Sequence, residues 1–291
     1  MTKGNILLTS EIKEIEFNLG TQKIAALTNA NVDAPILLCL HGWLDNAASF
    51  QPLLPYLTKF NVIAIDWPGH GFSSHRSVDA HYHFLDWVSD LLGLFHSQQW
   101  QKIDIVAHSM GGMVASAFAA AFPEHVKSLS LIDSIGFLSL PAEKTTSQLR
   151  QGLLSRLARS NDKKRYHSTL ASAVTARTLV SDLHSKDAEL IVKRGIKETA
   201  KGFQWRSDSR LRATSPYRLT LKQAKQLVSD ISAPTQLLYG NKGMEMVALG
   251  LEAFTPLFQS LETHELNGGH HVHMEQPKLT AKLISQFIKS S

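Results

Sequence analysis

The 291-residue chain contains a single cysteine, Cys39, so it can form no internal disulfide and no zinc site built from several thiolates. That usage favours a reducing, cytoplasmic setting. No apolar run approaches the roughly 20 residues of a membrane helix. The start, Met1 to Leu8, gives way to Glu11, Lys13, Glu14 and Glu16 too soon for a secretory leader. A soluble, non-exported protein without a membrane span is expected. There is no Gly-rich phosphate loop followed by lysine, no internal repeat, no low-complexity tract and no flexible linker. What remains is 43% hydrophobic and 19% charged, the composition of an ordinary globular chain with room for one large core.

The formal net charge of +5 would suggest nucleic acid were it spread evenly. Residues 141–225 alone carry 19 Lys/Arg against 7 Asp/Glu, which leaves the rest of the chain acidic. The basic residues are scattered through helical-looking sequence without interleaved aromatics, the pattern of a solvated helical surface, so no nucleic-acid partner is expected.

Short aliphatic runs alternate with helical stretches in the first half, as in a mainly parallel sheet covered on both faces. Residues 12–19 and 22–27 alternate in polarity and suit an antiparallel pair at the start of the sheet. The runs at 35–40, 62–65, 103–107 and 129–132 are continuously apolar, as in strands buried on both sides. Helices are expected near 46–58, 82–99 and 110–121. From 134 to 233 the alternation stops and helical spacing dominates, for example Leu149, Leu153, Leu154 and Leu157 on one stripe. It resumes with a strand at 234–240, a helix near 246–258, a strand near 260–266 and a last helix near 277–289. The expected organisation is a core of residues 1–133 and 234–291 interrupted by a helical cap, 134–233.

The segment Val106-Ala107-His108-Ser109-Met110-Gly111-Gly112 follows an apolar strand and opens a helix rich in small residues. That is the setting of a nucleophile elbow, a turn so sharp that the serine is strained and the residues two places away must be small. Ala107 and Gly111 meet that demand, with alanine where G-x-S-x-G has its first glycine. Ahead of it, Leu40-His41-Gly42-Trp43-Leu44-Asp45-Asn46 follows another apolar strand. There Gly42 lets the Trp43 N–H turn inward, and Met110 N–H is a second donor for an oxyanion hole. His41 is expected to brace that loop by hydrogen bonding.

A serine hydroxyl needs a histidine to take its proton. Among 14 histidines, His270 follows the hinge Gly268-Gly269 on the loop before the last helix and is assigned as the base. His271 and His273 are read as packing or substrate neighbours. They lack the His-Glu-x-x-His spacing and the second ligand cluster of a metal site, so neither metal nor other cofactor is expected. The stretch after strand 234–240 offers no aspartate and has Gly243 where an acid would be sought. Asp133, 24 residues beyond the serine at the end of the adjacent strand, is therefore the assigned acid, with Glu245 in reserve. Asp66, Pro68, Gly69 and Gly71 read as a structural turn. Arg206 or Arg210 could meet a substrate carboxylate, but pairing with Asp208 is the preferred reading.

His41-Gly42-Trp43, Asp66-Trp67-Pro68-Gly69-His70-Gly71-Phe72-Ser73, the Ser109 elbow and Gly269-His270, in this order, resemble the α/β-hydrolase superfamily over nearly the whole chain. More narrowly, the stretch from Leu40 to Asn46, Asp133-Ser134-Ile135-Gly136-Phe137, and the segment from Lys193 to Leu211 resemble the serine hydrolase-like group. The resemblance implies a mostly parallel eight-stranded sheet, a helical cap over the site and a Ser-Asp-His triad without cofactor.

The expected activity is hydrolysis of a small or medium, mostly apolar ester through an acyl-enzyme. Ser109 attacks, His270 shuttles the proton, Asp133 orients it, and the Trp43 and Met110 amides hold the oxyanion. Trp43, Met110, Phe137 and Trp205 are the expected substrate contacts. A serine in the elbow excludes the aspartate chemistry of haloalkane dehalogenases and epoxide hydrolases. A carbon–carbon bond hydrolase or perhydrolase of the same fold remains open, as does a ligand-binding relative with little turnover.

Overall fold

A computed structural model describes residues 12–159 and 165–291; the stretch Met1 to Leu8, read above for a leader, lies outside them. Eight strands form one sheet: β1 (Lys13–Leu19), β2 (Gln22–Thr28), β3 (Ile36–Leu40), β4 (Asn61–Ile65), β5 (Ile103–His108), β6 (Val126–Ile132), β9 (Thr235–Gly240) and β10 (Leu261–Leu266). Their spatial order is β1-β2-β4-β3-β5-β6-β9-β10. The alternating β1 and β2 pair antiparallel from Lys13↔Thr28 to Leu19↔Gln22, and β2 meets β4 antiparallel. From β4 onward every pairing is parallel.

Helices cover both faces because the central strands are apolar on both. On one side, α1 (Phe84–Gln98), α2 (Met110–Ala121), α6 (Leu221–Ser229) and α7 (Glu245–Phe254) bury Leu91, Phe95, Phe118, Val228 and Phe254. On the other, α9 (Pro277–Ser290) turns Ala281, Ile284 and Ile288 toward Phe50 and Leu53. The expected helix at 46–58 is instead a 3-10 run, Ala47–Tyr56, with Pro52 and Pro55 inside it. Neither proline has the N–H that an α-helix would require there. The expected helix near 246–258 ends at Phe254 and passes into a short 3-10 turn, Thr255–Leu257.

The chain leaves the sheet after β6 and returns at β9. Between them lie α3 (Thr145–Arg159), α4 (Leu170–Thr178), α5 (Ser185–Gly195) and α6, together with a hairpin of β7 (Ile196–Thr199) and β8 (Gly202–Trp205). The excursion is thus not wholly helical. The leucine stripe of α3 also faces the opposite way from a core stripe: Leu149, Leu153 and Leu154 are exposed, while Gln148 and Gly152 face inward. A Cβ on Gly152 would overlap Pro216, so close approach there depends on glycine. The excursion has its own small core, in which Val174, Ile191 and Val192 pack with Met274 of α8 (Val272–Glu275).

The chain order reverses about β3, which has β4 on one side and β5 on the other. The carboxyl ends of β3 and β5 therefore frame the crevice where open α/β sheets place their ligands. Loops of that rim also hold the excursion. Trp43 Nε1 donates to Leu211 O at 3.1 Å, Asn46 Nδ2 to Ile191 O at 2.8 Å, and Arg194 Nε to both oxygens of the fully buried Asp66 at 3.0 Å. Among the described residues, no helix is long and apolar enough to cross a membrane.

Candidate active site

Ser109 sits between β5 and α2 with φ 52° and ψ −120°, outside the regions favoured by side-chain-bearing residues. Its neighbours are small for a visible reason. A Cβ on Gly111 would overlap the Leu40 carbonyl, and one on Gly112 would overlap Ser134. Ser109 N donates to Ile132 O at 3.1 Å, and Ser109 O accepts from Ser134 Oγ at 2.8 Å, so the end of β6 and the turn after it fix the strained residue from both sides.

His270 lies on the loop between β10 and α8, and its Nε2 is 2.9 Å from Ser109 Oγ. Its Nδ1 is 2.6 Å from Asp133 Oδ2. A carboxylate only accepts, so Nδ1 carries the hydrogen and Nε2 is left to receive the serine proton. Asp133 follows β6 directly, is buried, and has φ 44°. Gly240 N donates to its Oδ1 at 3.1 Å and Met244 N to its Oδ2 at 3.3 Å, which orients the carboxylate independently of the imidazole. Glu245, the reserve acid, lies at the N-terminal end of α7, where the backbone beside it serves Asp133.

Trp43 is 49% exposed and Met110 is half-buried at the start of α2. Among the described residues, neither backbone N–H finds a protein acceptor, so both donors beside the serine are unspent. His41 braces this loop. Its Nδ1 donates to Gly42 O at 2.7 Å and its Nε2 accepts from Trp67 N at 3.0 Å. Burial lowers its pKa to about 4, so the ring is neutral. His70, lowered by burial to about 3, accepts from Leu44 N at 3.2 Å.

Two further expected substrate contacts have ring partners of their own. Phe137 is buried edge-to-face against Phe84, with ring centroids 5.9 Å apart. Trp205 donates from Nε1 to His167 Nε2 at 3.0 Å. Arg210 pairs with Asp208 at 2.7 Å, whereas Arg206 donates to Ile196 O and lies over Phe72. Asp66 accepts from Ala47 N and Phe72 N, a structural turn as read from sequence. Burial pushes the Cys39 thiol upward and keeps it protonated.

A second constellation behind the serine escaped the sequence reading. His271 Nε2 is 3.1 Å from Asp45 Oδ2, and its Nδ1 is 2.7 Å from Asp182 Oδ1. Arg177 of α4 donates to Asp45 Oδ1. Burial opposes charge on His271, but the two carboxylates outweigh it and raise its pKa to about 9. Against the same burial penalty, His271 and Arg177 hold Asp45 well below the usual carboxylate range. His108 Nε2 donates to His270 O at 2.9 Å, while burial and the neighbouring histidines keep that ring neutral. Asp45 had a readable position, two residues past the oxyanion turn; Arg177 and Asp182 have no local sequence signal, because only the packing of the excursion brings them here.

Asp45, His108 and His271 are the group among the described residues that could hold a cation, with one potential ligand atom from each lying within 4.8 Å of the others. Such an ion would have to displace the His271 proton and share Asp45 with Arg177. The present hydrogen bonds already satisfy both residues.

The sequence matches the family described as alpha/beta hydrolase fold over residues 35–277. A serine hydrolase-like protein 2 from Homo sapiens is 29% identical over 296 residues, covering 96% of this chain and 94% of its own. A serine hydrolase-like protein from Danio rerio is 29% identical over 264 residues, covering 87% and 81%. Among solved structures, a hypothetical protein from Pseudomonas aeruginosa PAO1 superposes with a TM-score of 0.89 at 33% identity, covering 96% of this chain and 98% of that one.

Proposed function

Because the chain belongs to the alpha/beta hydrolase fold family, in its serine hydrolase-like group, we propose that this hydrolase cleaves carboxylic esters with Ser109 as nucleophile, His270 as base and Asp133 as orienting acid. One observation carries the reading: the unbroken line from Asp133 Oδ2 through His270 to Ser109 Oγ, with steps of 2.6 and 2.9 Å. It ends on a serine held in a strained turn beside two unspent backbone donors.

In the acylation step, Ser109 Oγ attacks the ester carbonyl as its proton passes to His270 Nε2. Asp133 accepts from Nδ1–H and stabilises the imidazolium. The carbonyl oxygen becomes an oxyanion, received by the Trp43 and Met110 amides; one such donor is worth about 2.7–4 kcal/mol in the transition state. His270 returns its proton to the leaving alkoxide. Water then adds to the acyl-enzyme, with the same imidazole taking its proton; His270 passes that proton to Ser109 Oγ as the bond to the acyl carbon breaks, and the acid product departs with serine and imidazole restored.

The excursion of residues 134–233 is the cap in this reading. Its bonds to Trp43 and Asn46 seat it beside the nucleophile. Trp43 and Met110 offer the apolar wall for the acyl group. Phe137, edge-to-face on Phe84, and Trp205, bonded to His167, complete that wall. Localisation in the cytoplasm and a small-molecule ester as the partner complete the proposal.

The test is labelling by a fluorophosphonate, followed by turnover across p-nitrophenyl esters of increasing acyl length. Prompt labelling that vanishes in Ser109→Ala, with turnover of short and medium esters, supports the proposal. A folded wild type that does not label excludes it in favour of a binding role. Labelling with turnover only of vinylogous diketones points to carbon–carbon bond hydrolysis.

A further inference from the structure

The Arg177–Asp45–His271–Asp182 chain joins three parts of the molecule. Arg177 and Asp182 belong to the excursion, at the end of α4 and in the turn after it. Asp45 belongs to the loop carrying Trp43, where Asp45 N donates to Gly42 O at 3.2 Å. His271 is the residue after His270. Asp182 grips the loop a second time, since its Oδ2 accepts from His271 N at 3.3 Å. A Cβ on Gly269 would overlap that same oxygen, so the turn before His270 is moulded on Asp182.

We propose that these four residues are a latch that positions His270 and the Trp43 loop for hydrolysis, and that it closes only while the excursion is docked and His271 is protonated. The proposal rests on the reading of Ser109, His270 and Asp133 given above. Arg177, Asp45, His271 and Asp182 act as positioning residues, since none touches the reacting atoms.

Protonation matters because both His271 ring nitrogens face carboxylates, and only an imidazolium donates to both. A neutral ring keeps one of the two bonds and turns a lone pair toward the other carboxylate. The groups facing His271 are Asp45 from the β3 loop, His108 from β5, Asp182 from the turn after α4, and His270 and His273 from its own segment. Arg177 acts through Asp45, and Asp187 of α5 lies within electrostatic reach. His108 and His273 are both kept neutral by burial, the latter lowered to about 3, so the two aspartates dominate. Their hold places the loss of the His271 proton at about 9.

The experiment measures the rate of fluorophosphonate labelling of Ser109 in the full chain from pH 6 to pH 10.5, with circular dichroism at each pH to confirm folding. Wild type is expected to show a falling limb near the pH at which His271 deprotonates. Asp182→Asn removes one carboxylate and moves that limb down by about one pH unit. Arg177→Gln frees Asp45 to hold the imidazolium more tightly and moves the limb up. Asp182→Glu keeps it near wild type. A merely structural role lowers thermal stability in these variants without moving the limb in opposite directions. Labelling with no falling limb, or with a limb that Asp182→Asn and Arg177→Gln leave in place, overturns the latch alone. Should Asp182→Asn not fold, the upward shift in Arg177→Gln decides. No labelling of wild type at any pH overturns the hydrolase reading and the latch with it.

Discussion

The carboxylate of Asp133 stands in the space from which a side chain at position 243 would grow: a Cβ on Gly243 would overlap Asp133 Oδ1. Asp133 directly follows β6 and Gly243 lies in the turn after β9, and these two strands pair in parallel up to Ile132↔Leu238. Either end can bring a carboxylate to the same imidazole nitrogen, but the site has room for only one. Glycine at 243 is thus the complement of aspartate at 133, and the backbone that would have carried an acid there donates to Asp133 through Gly240 N and Met244 N.

Asp133→Asn is expected to lower kcat by about four orders of magnitude, because an amide at this position no longer fixes the His270 tautomer or stabilises the imidazolium. Glu245→Gln is expected to leave kcat within a few-fold of wild type. Gly243→Asp introduced into Asp133→Gly should recover part of the loss, since removing the first carboxylate opens the space the second needs. Steady-state kinetics on a p-nitrophenyl ester checks all three. Equal loss in Asp133→Asn and Glu245→Gln would sink the assignment.

Gly42 tests the oxyanion loop. A Cβ there would lie 3.0 Å from His108 Nδ1 and 3.1 Å from Ser109 Cβ, tighter than ordinary contact. The loop must yield, because His108 is buried and held to His270 O. Gly42→Ala is therefore expected to lower kcat by about a hundredfold through a displaced Trp43 amide, with KM changed little. An unchanged kcat in a folded variant argues that the Trp43 amide does not serve the oxyanion.

The sheet and the Ser109–His270 pairing were legible in the sequence because they depend on local constraint. Continuous apolar runs specify doubly buried strands, and a strained turn specifies small residues on either side of the serine. Asp133 was legible by elimination, although the overlap with Gly243 that explains it is visible only in three dimensions. The 3-10 run Ala47–Tyr56 was hidden by apolar spacing that suits an α-helix equally well, and its two prolines were the signal to weigh. The inward Gln148 and Gly152 of α3 contradict periodicity because the neighbouring backbone at Ser215 and Pro216 selects a hydrogen bond and a small residue over leucine. Arg177 and Asp182 were invisible since their partners lie 132 and 89 residues away along the chain.

Stability should fall on both sides of a maximum near pH 6.5, for opposite reasons. His271 is raised in the folded state to about 9, so its contribution is fully present below the unfolded value of about 6.5 and is lost as pH climbs through 9. His41, His70 and His273 are lowered by burial to about 4, 3 and 3. Below about 6.5 the unfolded chain binds protons that these rings refuse, so stability drops as pH falls toward their folded values. Urea denaturation from pH 4.5 to pH 10 reads both limbs. His271→Asn is expected to flatten the alkaline limb and leave the acid limb in place; a variant curve parallel to wild type at high pH rules out a charged His271.

Arg194 ties the excursion to the core through a buried ion pair. Its guanidinium, itself buried, bonds both oxygens of Asp66, with Nη2 at 2.9 Å from Oδ2, and also pairs with Glu14 of β1. Asp66 is meanwhile committed to Ala47 N and Phe72 N, so it cannot turn away to find water. Arg194→Met preserves much of the side-chain volume but leaves that carboxylate buried without its hydrogen-bonded ion-pair partner, with Arg206 over Phe72 the remaining cation in electrostatic reach. The expected cost is about 3–5 kcal/mol, the range for breaking one side of a buried pair. Asn46 and Trp43 still tether the excursion, so the loss should appear first as cleavage by trypsin within 134–233 at temperatures where the sheet remains intact. Thermal denaturation alongside limited proteolysis separates the outcomes: a lowered midpoint with early cleavage in the excursion fits a docking clamp, whereas an unchanged midpoint means that Asp66 is stabilised by its backbone donors alone.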